Sequence, residues 1–187
     1  MSANAIHIVP IHTGTYQNDK QKAEEILKWF QEREIVENTL SDCILSLDKN
    51  GYRFKPNIAS IFKDGDLWAY SDSLKTHGLE LVFDKRTIFH PVEGMYLEIT
   101  CPHCKYQFSD GFGFTCITQW YENINDYSIC SKCKQKRHLI EYHIESEWAF
   151  SNIGITLWNT HWDFMTKFLE DMKQLFGSEI TVVQARI

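Results

Sequence analysis

The sequence predicts an α+β fold built on a ferredoxin-like split strand–helix–strand sheet. Two observations lead to this prediction: a strand–helix–strand pattern stands at each end of the chain, and 43% of the residues are hydrophobic while 14% are aromatic. Such a composition supplies enough apolar side chain for one sizeable core in 187 residues. Two units of this kind commonly combine into one sheet that carries both helices on the same face.

The N-terminal unit begins with a β-prone segment at residues 5–12. A helix is predicted to start at Asn18 or Asp19 and to end near Arg33, because apolar residues recur there at helical spacing: Ala23, Ile26, Leu27 and Phe30. A strand-like segment at residues 43–47 completes the unit.

The segment that follows contains weaker signals. Residues 78–83 and 87–90 are rich in β-prone side chains and predict two further strands. Residues 57–62 predict a short helix, and Gly with Asn or Asp marks turns at residues 49–51 and 63–66.

The C-terminal unit repeats the order of the first one. Residues 153–158 predict a strand, and Thr160 can cap the next helix with Asp163 three residues later. Gly177 stands where a glycine commonly ends a helix, and residues 179–185 predict the last strand. The helix again has one apolar stripe: Met165, Phe168, Leu169, Met172, Leu175 and Phe176.

Four cysteines in two C-x-x-C pairs are the clearest motif of the chain. Cys101 and Cys104 form the first pair, Cys130 and Cys133 form the second, and 25 residues lie between the pairs. Each pair suits a tight knuckle, and two knuckles together offer the four thiolates that a tetrahedral zinc ion takes at about 2.3 Å per bond. We therefore predict one zinc ion per chain.

The predicted zinc site divides the chain into two parts. A zinc ribbon at residues 96–147 is expected to be inserted in, and to pack on, a sheet domain made of residues 1–95 and 148–187. Four thiolates fill the coordination shell, whereas catalytic zinc usually keeps one position for water. The predicted zinc is therefore structural.

Other uses of these cysteines have less support. Two disulfides need an oxidising compartment, but no Lys or Arg precedes an apolar run at the start, as a secretory signal would require. A thioredoxin-type redox site needs only one C-x-x-C pair, and an iron–sulfur cluster is less typical of paired knuckles. Cys43 and Cys116 have apolar neighbours and are predicted to be buried free thiols, which fits a reducing cytoplasm.

The segment around the second cysteine pair offers one further candidate site. Residues 138–146 alternate between apolar and polar side chains, which predicts a half-buried strand. On such a strand Glu141, His143 and Glu145 would share a face, either as a solvated ion-pairing surface or as a metal or acid–base group. Residues 109–128 are predicted to be an elaboration of the ribbon.

Residues 101–104, 130–133 and 148–159 together form a recognisable set of motifs, because they read C-P-H-C, C-S-K-C and W-A-F-S-N-I-G-I-T-L-W-N. With this set, residues 78–187 resemble an uncharacterised bacterial zinc-ribbon family with the motifs C-P-x-C, C-x-x-C and W-x-F-x-N-x-G-x-T-x-W-N. The resemblance implies a zinc-ribbon α/β domain and supplies no substrate or catalytic residue. Some members are labelled as sugar-transporter ATPases, but this chain contains no G-x-x-x-x-G-K-[ST] phosphate loop.

Charge and motifs narrow the function classes. The formal net charge is −6 and the pI is about 5.7, which argues against general nucleic-acid binding. The sequence has no apolar run of the roughly 18 residues that a membrane span needs, and no H-E-x-x-H or G-x-S-x-G motif. We expect a non-catalytic cytoplasmic protein-binding module, and one form of it is an immunity protein that neutralises a basic toxin.

Nucleic-acid binding is the first alternative, because four cations cluster at the second cysteine pair: Lys132, Lys134, Lys136 and Arg137. Aromatic residues that could stack on bases are near in sequence: Tyr106, Phe108, Trp120 and Tyr121. The cations also have a local explanation, since they offset the negative charge of four thiolates. An enzyme of unknown reaction is the second alternative.

Overall fold

A computed structural model describes residues 3–46, 50–63, 70–92, 97–108 and 110–187 of the chain. Its strands are β1 (Asn4–Pro10), β2 (Val36–Ser41), β3 (Gly51–Phe54), β4 (Gly78–Val82), β5 (Thr87–Phe89), β6 (Ile99–Thr100), β7 (Gln107–Phe108), β8 (Tyr127–Ile129), β9 (Lys136–His138), β10 (His143–Ile144), β11 (Ala149–Ser151), β12 (Gly154–Trp158) and β13 (Ile180–Arg186). Its α-helices are α1 (Asp19–Glu32), α2 (Asp110–Tyr121) and α3 (Thr166–Phe176), and short 3₁₀ helices occupy Pro56–Ile61 and Leu139–Glu141. This mixture of antiparallel sheets and few helices confirms the α+β class.

The largest sheet has six strands in the order β13-β1-β12-β4-β3-β2. Every neighbouring pair in it is antiparallel. Because strand directions alternate, β1 and β2, which α1 connects, run in the same direction although three strands lie between them. The strands β12 and β13, which α3 connects, also run in the same direction and are separated by β1. Each strand–helix–strand unit is therefore split by other strands of the sheet.

The helices α1 and α3 cover one face of this sheet. Along β1, Ile6 and Ile8 point into the core on the helical face, while Ala5 and Val9 belong to smaller clusters on the other face. This alternation follows from the two-residue period of a strand. The main core joins these strands to α1 and α3 through large, almost fully buried side chains, which include Ile26, Phe30, Phe54, Leu79, Ile155, Leu157, Phe168, Met172 and Phe176.

The opposite face of the sheet is covered in part by the short pair β5–β11. Phe89 of β5 lies close to Gly154 of β12, where an added Cβ atom would come within 2.8 Å of the phenyl ring. Ile88 and Phe150 of the same pair belong instead to a second core that contains the cysteine pairs. The β5–β11 pair therefore connects the sheet to the cysteine-rich region.

The predicted first helix and both terminal strands agree closely with the structure, but α3 begins later than expected. Thr160 does not cap it, and the helix begins at Thr166. The preceding residues are held beside the 3₁₀ helix at Pro56–Ile61, since the N–H of Met165 donates to the carbonyl of Ile61 at 2.9 Å. Gly177 ends α3 in the left-handed conformation, with φ of 71°.

The strand predicted at residues 43–47 is wrong for its described part. The second strand lies earlier, at Val36–Ser41, and Cys43 and Ile44 instead fold over the sheet. Cys43 is held there because its carbonyl accepts the N–H of His77 at 2.8 Å and its sulfur fills the space above Gly78.

The two predicted turns are described only in part. Residue 49 of the first predicted turn and residues 64–66 of the second lie outside the described residues. Within the described ranges, no helix is both long enough and apolar enough to cross a lipid bilayer.

Candidate metal centre

The four cysteine sulfurs predicted to bind metal lie together. The Sγ atoms of Cys101, Cys104, Cys130 and Cys133 are all within 4.8 Å of one another. Two distances between the pairs are 3.8 Å, from Cys101 to Cys133, and 3.7 Å, from Cys104 to Cys130. A tetrahedral zinc ion with Zn–S bonds of about 2.3 Å has S–S edges of about 3.8 Å. The sulfurs therefore have the spacing that such an ion requires.

The first knuckle is formed by backbone hydrogen bonds around Cys101. Its N–H donates to the carbonyl of Tyr106 at 2.9 Å, and its carbonyl accepts the N–H of Lys105 at 3.1 Å. Lys105 turns the chain with φ of 58°. The knuckle directly precedes β7, which pairs with β6 on its other side.

The second knuckle repeats this geometry. The N–H of Cys130 donates to the carbonyl of Gln135 at 3.0 Å, and the carbonyl of Cys130 accepts the N–H of Lys134 at 2.9 Å. Lys134 again has a positive φ, of 60°. In addition, the N–H of Cys133 points at the sulfur of Cys130 at 3.5 Å. The strands β8 and β9 pair on either side of this knuckle.

The environment of the sulfurs favours thiolate at one buried position. Burial raises the pKa of Cys130, but hydrogen bonds from the N–H groups of Cys133 and Lys132 and from the neighbouring thiols lower it by more. The net effect is a pKa of about 7, below the ordinary value of 9.0. For Cys133, the N–H of Gln135 lowers the pKa, but burial and the thiols of the site raise it to about 11. The thiols thus titrate as a coupled group, because the first thiolate to form raises the pKa of the neighbouring thiols. A bound divalent cation would offset the repulsion between the thiolates and lower the pKa values of all four.

The donor set fits a closed zinc site. Four soft sulfur ligands in tetrahedral spacing are typical of structural zinc, and they leave no position for water. His103 does not belong to this group, and its side chain is exposed. Cys101 and Cys130 are fully buried and Cys104 is exposed, so that the site has one side in the core and one at the surface.

A second hydrophobic core, distinct from the main core of the sheet, surrounds the buried sulfurs of Cys101 and Cys130. It packs α2 against β6 and the segment that contains the Leu139–Glu141 turn, through Leu97, Ile99, Phe108, Cys116, Ile117, Trp120, Leu139, Tyr142, Ile144 and Phe150. Tyr142 donates its hydroxyl to the carbonyl of Ser128 at 3.2 Å. Burial, followed by the nearby cysteine thiolates, raises the pKa of Tyr142. We call residues 97–147 the cysteine module.

Arg86 attaches the cysteine module to the sheet side of the molecule. It lies between β4 and β5, and its guanidinium donates to the carbonyl of Trp120 at 2.7 Å and pairs with Asp126 at 2.6 Å. The same guanidinium lies 4.9 Å from the centre of the Trp120 ring. The side chain of Arg86 is only 9% exposed, and sequence analysis did not identify it because its partners are 34 and 40 positions away.

The predicted basic cluster lies beside the second knuckle. Lys132 is 4.6 Å from the ring centre of Tyr106, and Lys136 is 4.3 Å from that of Tyr127. Lys134 is exposed, and Arg137 faces Glu141 at 4.0 Å. Of the aromatic residues predicted to accompany these cations, Tyr106 and Tyr121 are exposed, whereas Phe108 and Trp120 are buried.

The strand predicted at residues 138–146 is wrong. His138 ends β9, a 3₁₀ turn follows, and β10 contains only His143 and Ile144. Glu141 instead accepts the N–H of His138 at 2.7 Å. The turn therefore prevents Glu141, His143 and Glu145 from following one another on a single strand face.

The tryptophan-rich motif at residues 148–159 has structural contacts along its length. Asn152 binds the backbone of Tyr16 in both directions and donates to Asp19 at 2.7 Å. Further along, Thr156 is hydrogen-bonded to His7, Trp158 to Glu80, and Asn159 to Asn4 and Thr76. These contacts explain the motif residues as parts of the scaffold.

The resemblance to the zinc-ribbon family stays a prediction. No model of a known protein family, no curated protein and no solved structure matches this chain.

Proposed function

We propose that this chain is a non-catalytic protein-binding module whose binding surface is held in shape by one structural zinc ion. The observation that carries the proposal is a concentration of exposed apolar side chains on the cysteine module: Phe114, Tyr121, Ile124, Tyr127 and Ile129. Tyr127 and Ile129 point outward from β8 on the same face. A contiguous patch of exposed apolar side chains is typical of protein interaction surfaces, and we propose that these side chains contribute to one such patch.

The proposed zinc ion would be held by Cys101, Cys104, Cys130 and Cys133. When bound, it supplies four metal–thiolate bonds that fix both knuckles, and β8 emerges directly before the second of them. Because this coordination is closed, the site supports a structural role. Metal analysis of gently purified protein should return one zinc per chain, and a value well below one would contradict the assignment.

We also propose the finer fold assignment, a ferredoxin-like split sheet with an inserted zinc ribbon, together with the resemblance at residues 78–187. Supporting it, β13, β1, β12 and β2 follow one another in the order of a split double strand–helix–strand sheet, with β4 and β3 added between β12 and β2. The cysteine module falls between the two units, as an insertion would.

The binding proposal is tested by capture of partners from a lysate of the native host. Ile129 is 57% exposed, and Leu40, on the edge strand β2 of the six-stranded sheet, is 56% exposed, so Ile129→Glu and Leu40→Glu form a matched pair. A protein retained in stoichiometric amount by the wild type should be lost with Ile129→Glu and kept with Leu40→Glu. Equal retention by both variants, or a wild type that retains nothing, would reject the proposal.

Immunity towards a toxin is the specific form of this proposal. The net charge of −6 favours association with a basic protein and would increase the rate of encounter. Co-expression with a toxin encoded beside the gene should restore growth of the cells, and binding should weaken as salt is added. If growth is not restored, the immunity hypothesis is rejected, whereas the more general proposal of protein binding is not affected.

Nucleic-acid binding is the second candidate, favoured by the two lysines that lie over exposed tyrosines at the second knuckle. Cations beside aromatic rings suit a single strand, whose bases stack and whose phosphates attract charge. Affinity for mixed RNA or DNA should fall steeply with salt, and Lys134→Ala with Arg137→Ala should weaken it. If no complex forms at low salt, this candidate is excluded.

A further inference from the structure

The strand β13 forms one edge of the six-stranded sheet, and within the described part of the chain only β1 pairs with it. The register is continuous from Asn4 opposite Arg186 to Pro10 opposite Ile180. Ala3 and Ile187 exchange both backbone hydrogen bonds at 2.8 Å. Because bonded pairs alternate along an antiparallel ladder, the hydrogen-bonding groups of every second residue of β13 point towards β1.

This alternation shows which groups are directed away from the sheet. Thr181, Val183 and Ala185 are bonded to β1, so the N–H and carbonyl groups of Ile180, Val182 and Gln184 point outward from the edge. An open row of this kind is a template for another strand.

The two edges of the sheet differ in how they are protected. At the other edge, β2 has an irregular register between Val36 and Leu40 and carries the charge of Glu37. Bulges and charges on edge strands prevent edge-to-edge pairing. Along β13 the register has no such irregularity, the strand contains no proline, and its central residues are β-branched or uncharged. The edge at β13 is therefore the unprotected one.

The sequence of β13 is complementary to itself. A two-fold axis at Val183 would place Val183 opposite its own copy, Thr181 opposite Ala185, and Val182 opposite Gln184. In this register outward-directed groups meet outward-directed groups, as an antiparallel ladder requires. Arg186 falls opposite Ile180, so no like charges face each other, and the central pair is of the β-branched kind that stabilises sheets.

We propose that β13 is a dimerisation edge, at which two copies of the chain pair antiparallel about a two-fold axis at Val183 and join their sheets. Cyclic dimers with self-complementary surfaces are the commonest assemblies of soluble proteins. An exposed side chain next to the edge could add to the contact, since Trp162 is 60% exposed and lines a surface groove with Gln184 and Ala185.

The test uses a proline at an outward-directed position. In Gln184→Pro the lost N–H is one that β1 does not use, so the monomer should fold, while the intermolecular ladder is interrupted. Gln184→Thr is the matched control, because it keeps the N–H and suits a strand. Light scattering should give twice the chain mass for the wild type and Gln184→Thr, and the single chain mass for Gln184→Pro. A monomeric wild type, or a Gln184→Pro protein that remains dimeric, would overturn the proposal.

Amide hydrogen exchange provides a second measurement that needs no variant. In the wild type, the amides of Val182 and Gln184 should be protected, and their protection should decrease on dilution. The amide of Val183, which is bonded to β1, should be protected at every concentration. Fast exchange at both Val182 and Gln184 at high concentration would contradict the dimer even if Gln184→Pro failed to fold.

Discussion

At the scale of single residues, both knuckles depend on a lysine in an unfavourable backbone conformation. Lys105 and Lys134 have φ of 58° and 60°, a region that costs a side-chain-bearing residue about 1–2 kcal/mol. Glycine would relieve that cost but would lose more entropy on folding. We expect Lys134→Gly to raise the free energy of unfolding of the zinc-loaded protein by up to about 1 kcal/mol.

Lys132 provides the control for this prediction, because it lies in the same knuckle without a positive φ. Lys132→Gly should lower the free energy of unfolding by about 0.5–1 kcal/mol. Denaturant titration of both variants checks the opposite signs. Two losses of equal size would show that the backbone conformation of Lys134 is not a source of strain.

Buried and partly buried histidines make the fold sensitive to acid at the residue scale. Burial, followed by the like charge of His90, lowers the pKa of His7 from 6.5 to about 4. The unfolded chain therefore binds this proton at higher pH than the folded one. The contribution of neutral His7 to stability is complete above pH 6.5 and is lost as the pH falls towards 4, by about 1.4 kcal/mol per pH unit.

His7→Gln should reduce this pH dependence. The free energy of unfolding should vary less steeply between about pH 4.5 and 6, by roughly 1 kcal/mol per pH unit. The variant should keep a residual slope, because burial also lowers the pKa values of His12 and His77. His103→Gln, at an exposed position, is the control. If the pH dependence of the free energy of unfolding is unchanged in His7→Gln, His7 does not take up a proton when the chain unfolds.

At the scale of elements, the contacts of Arg86 predict a large effect for a residue outside any helix or strand. Arg86→Met would leave the carbonyl of Trp120 and the carboxylate of Asp126 without their shared donor. Because Asp126 is partly exposed, we expect a loss of about 2 kcal/mol rather than the 3–5 of a fully buried pair.

An exposed ion pair of the same length is the control for Arg86. Lys63 and Asp163 also approach to 2.6 Å, but both side chains are more than half exposed. Lys63→Met should therefore change the free energy of unfolding by less than about 1 kcal/mol. Thermal or denaturant unfolding compares the two variants, and similar losses would contradict the assigned role of Arg86.

The elements also show which parts of the fold a sequence can predict. In α1 and α3 a single apolar stripe faces the sheet, so the periodicity is clear. In α2, Gly113, Cys116, Ile117 and Trp120 have the same spacing, but Gly111 and the apolar residues on other sides of the helix obscure it. Gly113 is needed for packing, because a Cβ atom there would come within 2.9 Å of Leu97.

The candidate site was predictable because its signal is local. Two C-x-x-C pairs specify their own knuckles through hydrogen bonds that span five residues or fewer, so the sequence already contained Cys101, Cys104, Cys130 and Cys133 as a set. Arg86 and Asn152 act through partners that the chain brings together only after folding. Periodicity does not reveal contacts of that kind.

At the scale of the whole molecule, the two large cores are distinct. The helical face of the sheet and the cysteine module bury separate clusters of side chains, and Arg86 and the β5–β11 pair connect them. The sulfurs of Cys101 and Cys130 belong to the second cluster only. Loss of a bound zinc ion should therefore act first on the cysteine module, since folding of small metal sites is coupled to metal binding.

Cys104→Ser tests this separation, and chelation of the wild type tests it independently. Both should remove the zinc, abolish hydrogen-exchange protection in α2, β8 and β9, and leave the amides of β1 and β12 protected. Cys116→Ala is the control, because Cys116 is buried in the same cluster but lies outside the four-sulfur group; it should retain one zinc and the protection of β8. If protection in β1 and β12 disappears together with that of the module, the two cores unfold as one unit. The proposed zinc ion would then stabilise the entire chain, because the sheet would depend on the cysteine module for its stability.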